Sequence, residues 1–329
     1  MSEERRVLVT GAGGFIGRAS IDPLLTAGFE VHAVLSPAGA AGDLAPAAGG
    51  PAAAGCSRAQ VRRADLLDLT AIDALVEEVR PSHLLHFAWI AAPGVYQWSA
   101  ENHRWLAASQ TLLRSFHARG GVRAVMAGSC AEYDWSRVGV CAESTSPLAQ
   151  GATVTPYAAC KIALQRSLDE FGGAHGLSTA WGRIFFQYGP GEPRQRLVAS
   201  VIVALLGGRE ALCTHGRQIR SFLHVADVGA AFAALLDSDV KGAVNVGSAE
   251  RISIAQLLEQ LAGQVGRPDL LKLGEREVAH GEPALLLPDT GRLRDEVGFR
   301  PKWALPAGLA DTVSWWRDAL AADPPALRS

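Results

Sequence analysis

The strongest constraint on this chain is a glycine-rich turn directly behind its first apolar run. Residues 5–10 read RRVLVT, and Thr10-Gly11-Ala12-Gly13-Gly14-Phe15-Ile16-Gly17 follows, with Gly11, Gly14 and Gly17 spaced three apart. An apolar run of this kind predicts a buried strand. Glycines behind it let the chain turn tightly, bring bare backbone against a pyrophosphate, and pack the next helix onto the strand. The start of that helix then offers unpaired N–H groups to an anion. The spacing is not GxGxxG, because Ile16 stands where the last glycine would be. With 35 glycines in 329 residues, the pattern draws its weight from its position after the strand, and an ordinary tight turn is the plain alternative.

Further strands are predicted at 30–35, 60–64, 83–87 and 122–127. Between them lie helices at 69–79, capped by Asp68 and ended before Pro81, and at 101–119, stopped by Gly120 and Gly121. Strands alternating with helices predict an α/β fold, a doubly wound parallel (Rossmann) sheet with helices on both faces. After another strand at 178–186 the pattern loosens into helices at 197–206, 225–236, 254–266 and 309–320. The expected organisation is a dinucleotide-binding domain over 1–185. A smaller mixed lobe over 186–329, mainly substrate-binding, interleaves with the end of the sheet. Two segments fit poorly. Residues 36–57 are almost entirely Ala, Gly, Pro and Ser and predict a flexible surface loop. Pro23 falls inside the helix expected after the glycine turn, where a kink would cost about 3 kcal/mol.

Composition excludes several classes. Thirty-one basic against thirty-three acidic residues leave a net charge of -2, without the basic excess of a nucleic-acid binder. A chain 48% hydrophobic and 19% charged is packed and globular. Its apolar runs are too short to span a bilayer, so no membrane partner is expected. The start MSEERRVLVTGAGG enters a strand with no apolar signal segment, which predicts a cytoplasmic protein. Cys56, Cys130, Cys141, Cys160 and Cys213 show no CxxC and predict free thiols. His215, His224 and His280 form no ligand set, and no metal is expected.

The second strand ends in Leu35-Ser36-Pro37. An acid there would bond the ribose hydroxyls of NAD(H); Ser36 removes the repulsion against a 2′-phosphate and favours NADP(H). No arginine follows directly, so NAD(H) stays open. Asp65, next to Leu66, is either an acceptor for the adenine amino group or a turn residue. Tyr157 and Lys161 stand four apart at the start of a helix, on one face. An ammonium beside a phenol favours the phenolate, lowering a pKa of about 10 toward neutrality. The pair then works as an acid–base on a sugar hydroxyl or alkoxide. With four tyrosines and four lysines in the chain, a chance YxxxK match is rare, and an exposed helical pair is the alternative. Ser129, just past the fifth strand, either bonds a substrate carbonyl or caps a turn.

Taken in order, these segments resemble the extended short-chain dehydrogenases/reductases of the NAD(P)-dependent epimerase/dehydratase family, which act mainly on nucleotide sugars. The resemblance runs through TGxxGFIG at 10–17, HFA at 86–88, the Ser129 segment, YxxxK at 157–161 and RIFFQYGP at 183–190. It continues through RSFLHVAD at 220–227, NVG at 245–247, DTGRLR at 289–294 and VGFRP at 297–301. It implies a catalytic Ser129, Tyr157 and Lys161. The cofactor would be held by Gly11, Gly14, Phe15, Ile16, Gly17, Ser36, Asp65, Leu66, Phe87, Ala88, Tyr157 and Lys161. The substrate would be held by Trp89, Ser129, Phe186, Arg196 and Arg220. Trp89 read alone is equally a core aromatic, and Arg196 a solvated arginine.

Departures from the family pattern narrow the reaction. Its 4,6-dehydratases carry an Asp-Glu pair directly after the catalytic Ser/Thr; here Cys130 and Ala131 stand there, and Glu132 is one place too late. The usual Asn is Phe186 and the usual Asp after Arg220 is Ser221, which implies a reshaped sugar pocket. Arg220 matches an arginine that contacts the nucleotide diphosphate, and a second is expected at Arg276, with Ala279 and His280 as competing alignments. The resemblance implies an NADPH-dependent reductase of the C4 keto group of a nucleotide-activated 4-keto-6-deoxyhexose. A 4-epimerase retaining NAD is the alternative, and a non-catalytic dinucleotide sensor a remote one. In many relatives the helices matching 101–119 and 157–173 pair across a two-fold axis. Leu106, Leu112, Leu113, Phe116, Ile162, Leu164, Leu168 and Phe171 look like apolar surplus for such a homodimer.

Overall fold

The computed structural model of the chain describes residues 5–38, 44, 58–137, 139–151, 154–279 and 281–322. Most of the loop expected at 36–57, together with Cys56 and His280, lies outside them. Seven strands form the central sheet: β1 (Arg6–Thr10), β2 (Glu30–Leu35), β3 (Gln60–Arg63), β4 (His83–His86), β5 (Arg123–Ser129), β6 (Ser178–Ile184) and β7 (Gly242–Val246). All pair in parallel, in the order β7-β6-β5-β4-β1-β2-β3. The order reverses between β1 and β4, and that crevice at the carboxyl ends of the strands is where such sheets take ligands.

The helices are α1 (Phe15–Ala19), α2 (Ile21–Thr26), α3 (Leu69–Val79), α4 (Glu101–Ala118), α5 (Pro156–His175), α6 (Leu197–Leu206), α7 (Val225–Asp237), α8 (Ile254–Val265), α9 (Gly291–Asp295) and α10 (Leu305–Ala322). Strand side chains alternate between faces. Val7, Val9, Leu85 and Val125 therefore pack with α2 and α7 through Ile21, Leu24, Phe232 and Leu235. Leu8, Leu84, Ala124 and Met126 face the other way, onto Ile72, Leu112, Phe116, Leu164 and Leu168 of α3, α4 and α5. The helix that matters most is well bounded. Thr155 accepts the Ala158 N–H at 3.2 Å, Pro156 sits in the first turn where no donor is needed, and Gly176 ends α5 at φ 69°.

Beyond residue 186, α7 and β7 return to the sheet, while α6, α8 and α10 close a core of their own around Val198, Ile202, Leu257, Leu261, Leu309 and Trp316. Asp227 ties the two, accepting the N–H groups of Lys302 and Trp303 at 3.0 and 2.9 Å. Among the described residues no helix is long and apolar enough to cross a membrane.

Three expectations need correction. Pro23 kinks nothing, because the helix breaks at Ser20 and restarts at Ile21, leaving Pro23 in a first turn. The single strand expected at 178–186 is two: Phe185 turns into a small cluster with Tyr133, Cys141 and Leu286, and a separate strand Phe186–Tyr188 pairs with Phe222–His224. The apolar surplus on α4 and α5 is largely absent. Leu112, Leu113, Phe116, Ile162, Leu164 and Leu168 are buried within the single chain, and Leu106 and Phe171 are half-buried.

The two halves also meet where α7 crosses α1 at Gly229. A Cβ there would lie 2.2 Å from the Ala19 carbonyl oxygen. Gly229→Ala is expected to cost roughly 1–3 kcal/mol, the range for overpacking. Urea unfolding measures it, and an unchanged midpoint would show that the crossing can yield.

Candidate active site

The glycine turn is built for close approach. Gly11 has φ 68°, and a Cβ on it would lie 2.8 Å from the Ala88 nitrogen; one on Gly17 would lie 2.1 Å from the Gly11 carbonyl oxygen. Gly14 is exposed at the start of α1, while Phe15 and Ile16 are half-buried, with Ile16 against the core. Bare backbone is required here, and these residues fit the pyrophosphate of a dinucleotide. Ala88 donates its N–H to Thr10 Oγ1 at 3.4 Å, and Phe87 sets its ring edge-on to Phe232, 4.8 Å away. His86 bonds Thr10 Oγ1 at 2.7 Å and Ser109 Oγ at 2.8 Å; burial, helped by the Lys161 charge, lowers it to about 3, so it is neutral.

At the far end of this crevice Ser36 is exposed. Arg63, register partner of Leu35, donates to the Ser36 carbonyl at 3.4 Å. Sequence reasoning looked for an arginine following Ser36 and missed this one, which arrives through the parallel pairing of β2 with β3. Asp65 takes the turn arrangement, accepting the Leu67 N–H at 2.9 Å, and Leu66 is buried.

The chain brings Ser129, Tyr157 and Lys161 together. Ser129 ends β5 and caps a short turn over Cys130–Glu132, its Oγ accepting the Ala131 N–H at 3.2 Å. The Tyr157 side chain lies close enough for Ser129 to act on its phenol. Tyr157 donates its N–H to Gln97 O at 3.1 Å, and Tyr96 stands edge-on to its ring at 4.8 Å. Lys161 is 4% exposed; Nζ donates to Ala127 O at 2.9 Å and lies 5.9 Å from the Tyr157 ring. The expected lowering of the tyrosine is reversed in this arrangement. Burial pushes the Tyr157 phenol above its ordinary value, against the influence of the Ser129 hydroxyl. Burial also brings Lys161 down to about 7, with the Glu132 carboxylate opposing.

Glu132 is the residue sequence reasoning undervalued. It is fully buried, and its carboxylate accepts from Ser129 N at 2.7 Å, Trp181 Nε1 at 3.0 Å and Arg183 Nε at 2.8 Å. Arg183 in turn donates to Tyr133 OH at 2.9 Å and Gln165 Oε1 at 2.7 Å. A carboxylate so engaged cannot serve as an acid or base on a substrate. Burial pushes the neighbouring Cys130 thiol up to about 12, so it stays protonated. Neither Glu132 nor Cys130 is thus available as an acid or base for eliminating water. A glutamate one place late was the available signal; that it faces inward was not.

On the other wall, Arg220 pairs with Glu282 at 3.1 Å, donates to Pro283 O at 2.8 Å, and lies 5.5 Å from the Phe186 ring. Arg276 and Glu282 line a cavity of about 410 Å³ beside α6, with Leu197 and Gln218. Arg196 is half-buried at the N-cap of α6; its charge draws down the acid of Glu192, which burial raises to about 8. Trp89 is neither plain core nor open wall: its ring covers Lys161 Nζ at 3.9 Å.

Residues 7–247 match the family described as the NAD dependent epimerase/dehydratase family. A stretch of 135 residues is 35% identical to a dTDP-4-dehydro-6-deoxy-D-allose reductase of Streptomyces sp., covering 40% of this chain and 40% of that relative's length. A UDP-glucose 4-epimerase of Azospirillum brasilense is 26% identical across 96% of this chain and 92% of its own. Among solved structures, the UDP-glucose 4-epimerase of Thermus thermophilus in complex with NAD superposes with a TM-score of 0.79 at 26% identity, covering 95% and 99% of the two chains.

Lys161 titrates at about 7 in the folded chain against 10.5 ordinarily. Between those values the unfolded chain binds one more proton, so this group makes stability rise with pH across that window. Lys161→Met is expected to remove that rise. Its gain in urea midpoint over the wild type should be largest near pH 7 and shrink toward pH 10. A gap independent of pH would contradict a buried, depressed lysine.

Proposed function

Since this chain belongs to the NAD dependent epimerase/dehydratase family, we propose that it reduces the C4 keto group of a nucleotide-activated 4-keto-6-deoxyhexose, with NADPH as the cofactor. The observation that carries this reading is the corner at the end of β2. An NAD-selective site puts a carboxylate there; this one has exposed Ser36, with Arg63 held 3.4 Å from the Ser36 carbonyl. A 2′-phosphate meets a guanidinium instead of a like charge. The partial match to a sugar reductase and the engaged Glu132 support the same reading.

Bound NADPH supplies the electrons that the reduction consumes. Tyr157, its phenol held protonated by burial, gives its proton to the developing C4 alkoxide. Ser129 Oγ, beside the tyrosine hydroxyl, polarises the carbonyl. The Lys161 ammonium favours the phenolate left behind and holds the nicotinamide ribose. The glycine turn cradles the pyrophosphate, Arg220 takes the substrate diphosphate, and Phe186 forms an apolar wall for the sugar. A second reading, a 4-epimerase with retained NAD, draws on the end-to-end similarity to UDP-glucose 4-epimerases.

Purified protein incubated with NADPH and nucleotide-linked 4-keto sugars should consume NADPH absorbance with at least one of them. Tyr157→Phe should lower turnover by roughly 10²–10⁴-fold with NADPH affinity kept. Turnover near wild type in that variant would remove the tyrosine from the mechanism. Arg63→Ala should weaken NADPH binding about tenfold, the scale of a lost charged hydrogen bond, and leave NADH binding unchanged. Equal affinity for the two cofactors in the wild type, or NAD carried through purification, supports the epimerase.

A further inference from the structure

We propose that Trp89 is a positioning residue: its ring face holds the Lys161 ammonium, and Asn102 holds the ring. Lys161 Nζ lies 3.9 Å from the Trp89 ring centroid. At that distance the negative face of an indole attracts a cation, and more strongly where water is excluded. Among the described residues no carboxylate lies within salt-bridge distance of this ammonium; Glu132, the acid that influences it, is bound to Arg183. The aromatic face therefore provides the short-range counterpart that a buried cation requires.

The ring is fixed by hydrogen bonding. Trp89 Nε1 donates to Asn102 Oδ1 at 2.7 Å, and the Asn102 amide donates to the carbonyls of Tyr96 and Ser99, each at 2.7 Å. Asn102 is fully buried, in the first turn of α4. The segment it grips also carries the Gln97 carbonyl that receives the Tyr157 N–H and the Tyr96 ring edge-on to Tyr157. One buried asparagine thus ties the partner of the lysine to the segment that seats the tyrosine.

The other groups facing Lys161 do not substitute for the ring: the Tyr157 and Trp181 rings stand farther off, each 5.9 Å from Nζ. His86 on β4 is neutral. Cys160 on α5 is pushed up by burial and makes a 3.5 Å contact with His103 of α4. Tyr157 is kept protonated, and β5 presents only the Ala127 carbonyl. With Lys161 near 7, a modest change in its surroundings decides how much of it is charged at neutral pH.

The inference rests on the reading that Lys161 acts as an ammonium in the proposed reduction, but its test uses the ligand-free protein and no turnover. Pulsed acylation over a range of pH, read by mass spectrometry at Lys161, Lys241, Lys272 and Lys302, gives the titration of each lysine. Trp89→Leu keeps the site apolar and removes the ring face. Lys161 should then fall by about one pH unit, tenfold in its ammonium-to-amine ratio, while the other three lysines stay put. Trp89→Phe should recover most of the shift. If the leucine variant does not fold, fluorinated tryptophan placed at position 89 alone weakens that ring face without changing its shape, and Lys161 should fall with each added fluorine. A Lys161 value unmoved by leucine or by fluorine overturns the proposal and leaves the reductase reading standing. Failure of every 4-keto sugar to oxidise NADPH would sink that reading and leave this titration intact.

Discussion

The ion pair between Glu132 and Arg183 holds together the end of this sheet where Ser129, Tyr157 and Lys161 meet. Both side chains are almost fully enclosed, and they meet at 2.8 Å. Through them the end of β5, where Ser129 sits, is bound to Trp181 and Arg183 on β6 and to Gln165 on α5, the helix that carries Tyr157 and Lys161. A buried pair of this kind is weak evidence for stability, but loss of one partner leaves an uncompensated charge. The pair also engages Glu132, the acid that stands one place past the position where a dehydratase keeps its own. The same contact thus builds the site and limits its chemistry.

Around that anchor the described residues offer the site few free anions. Lys161 is enclosed by Ala127, Trp89 and Tyr157, and burial alone would favour its neutral form. Burial likewise favours the protonated phenol of Tyr157, the state a proton donor to an alkoxide needs. A reductase can use this balance directly. On the substrate side Arg220 is engaged by Glu282, so the diphosphate that Arg220 is proposed to take has a carboxylate to displace.

Much of the architecture was legible because it follows from period and punctuation. Strand runs such as HLLH alternate faces, Asp68 caps a helix through its own side chain, and YxxxK places two groups on one face of a helix whatever surrounds it. What escaped depends on contacts between distant segments. Arg63 reaches Ser36 only through strand register. Pro23 is accommodated because the helix restarts just before it. The leucines of α4 and α5 have the right spacing for an exposed seam, yet the sheet takes most of them. The direction of the Tyr157 shift turns on how deeply the pair is buried, and spacing carries no information about depth. Trp89 is legible as an aromatic near the site, but the ammonium it covers, Lys161, lies far along the chain on α5.

The reaction proposed for this site is a net reduction at C4 of an activated keto sugar. The most direct measurement is isotopic: NADPH bearing deuterium at the transferable position of its nicotinamide, incubated with a nucleotide-linked 4-keto-6-deoxyhexose, and the product examined by NMR. One deuterium is expected at C4 of the product for each cofactor oxidised. Sugar interconverted with no net oxidation of the cofactor, or product unlabelled at C4, would contradict it.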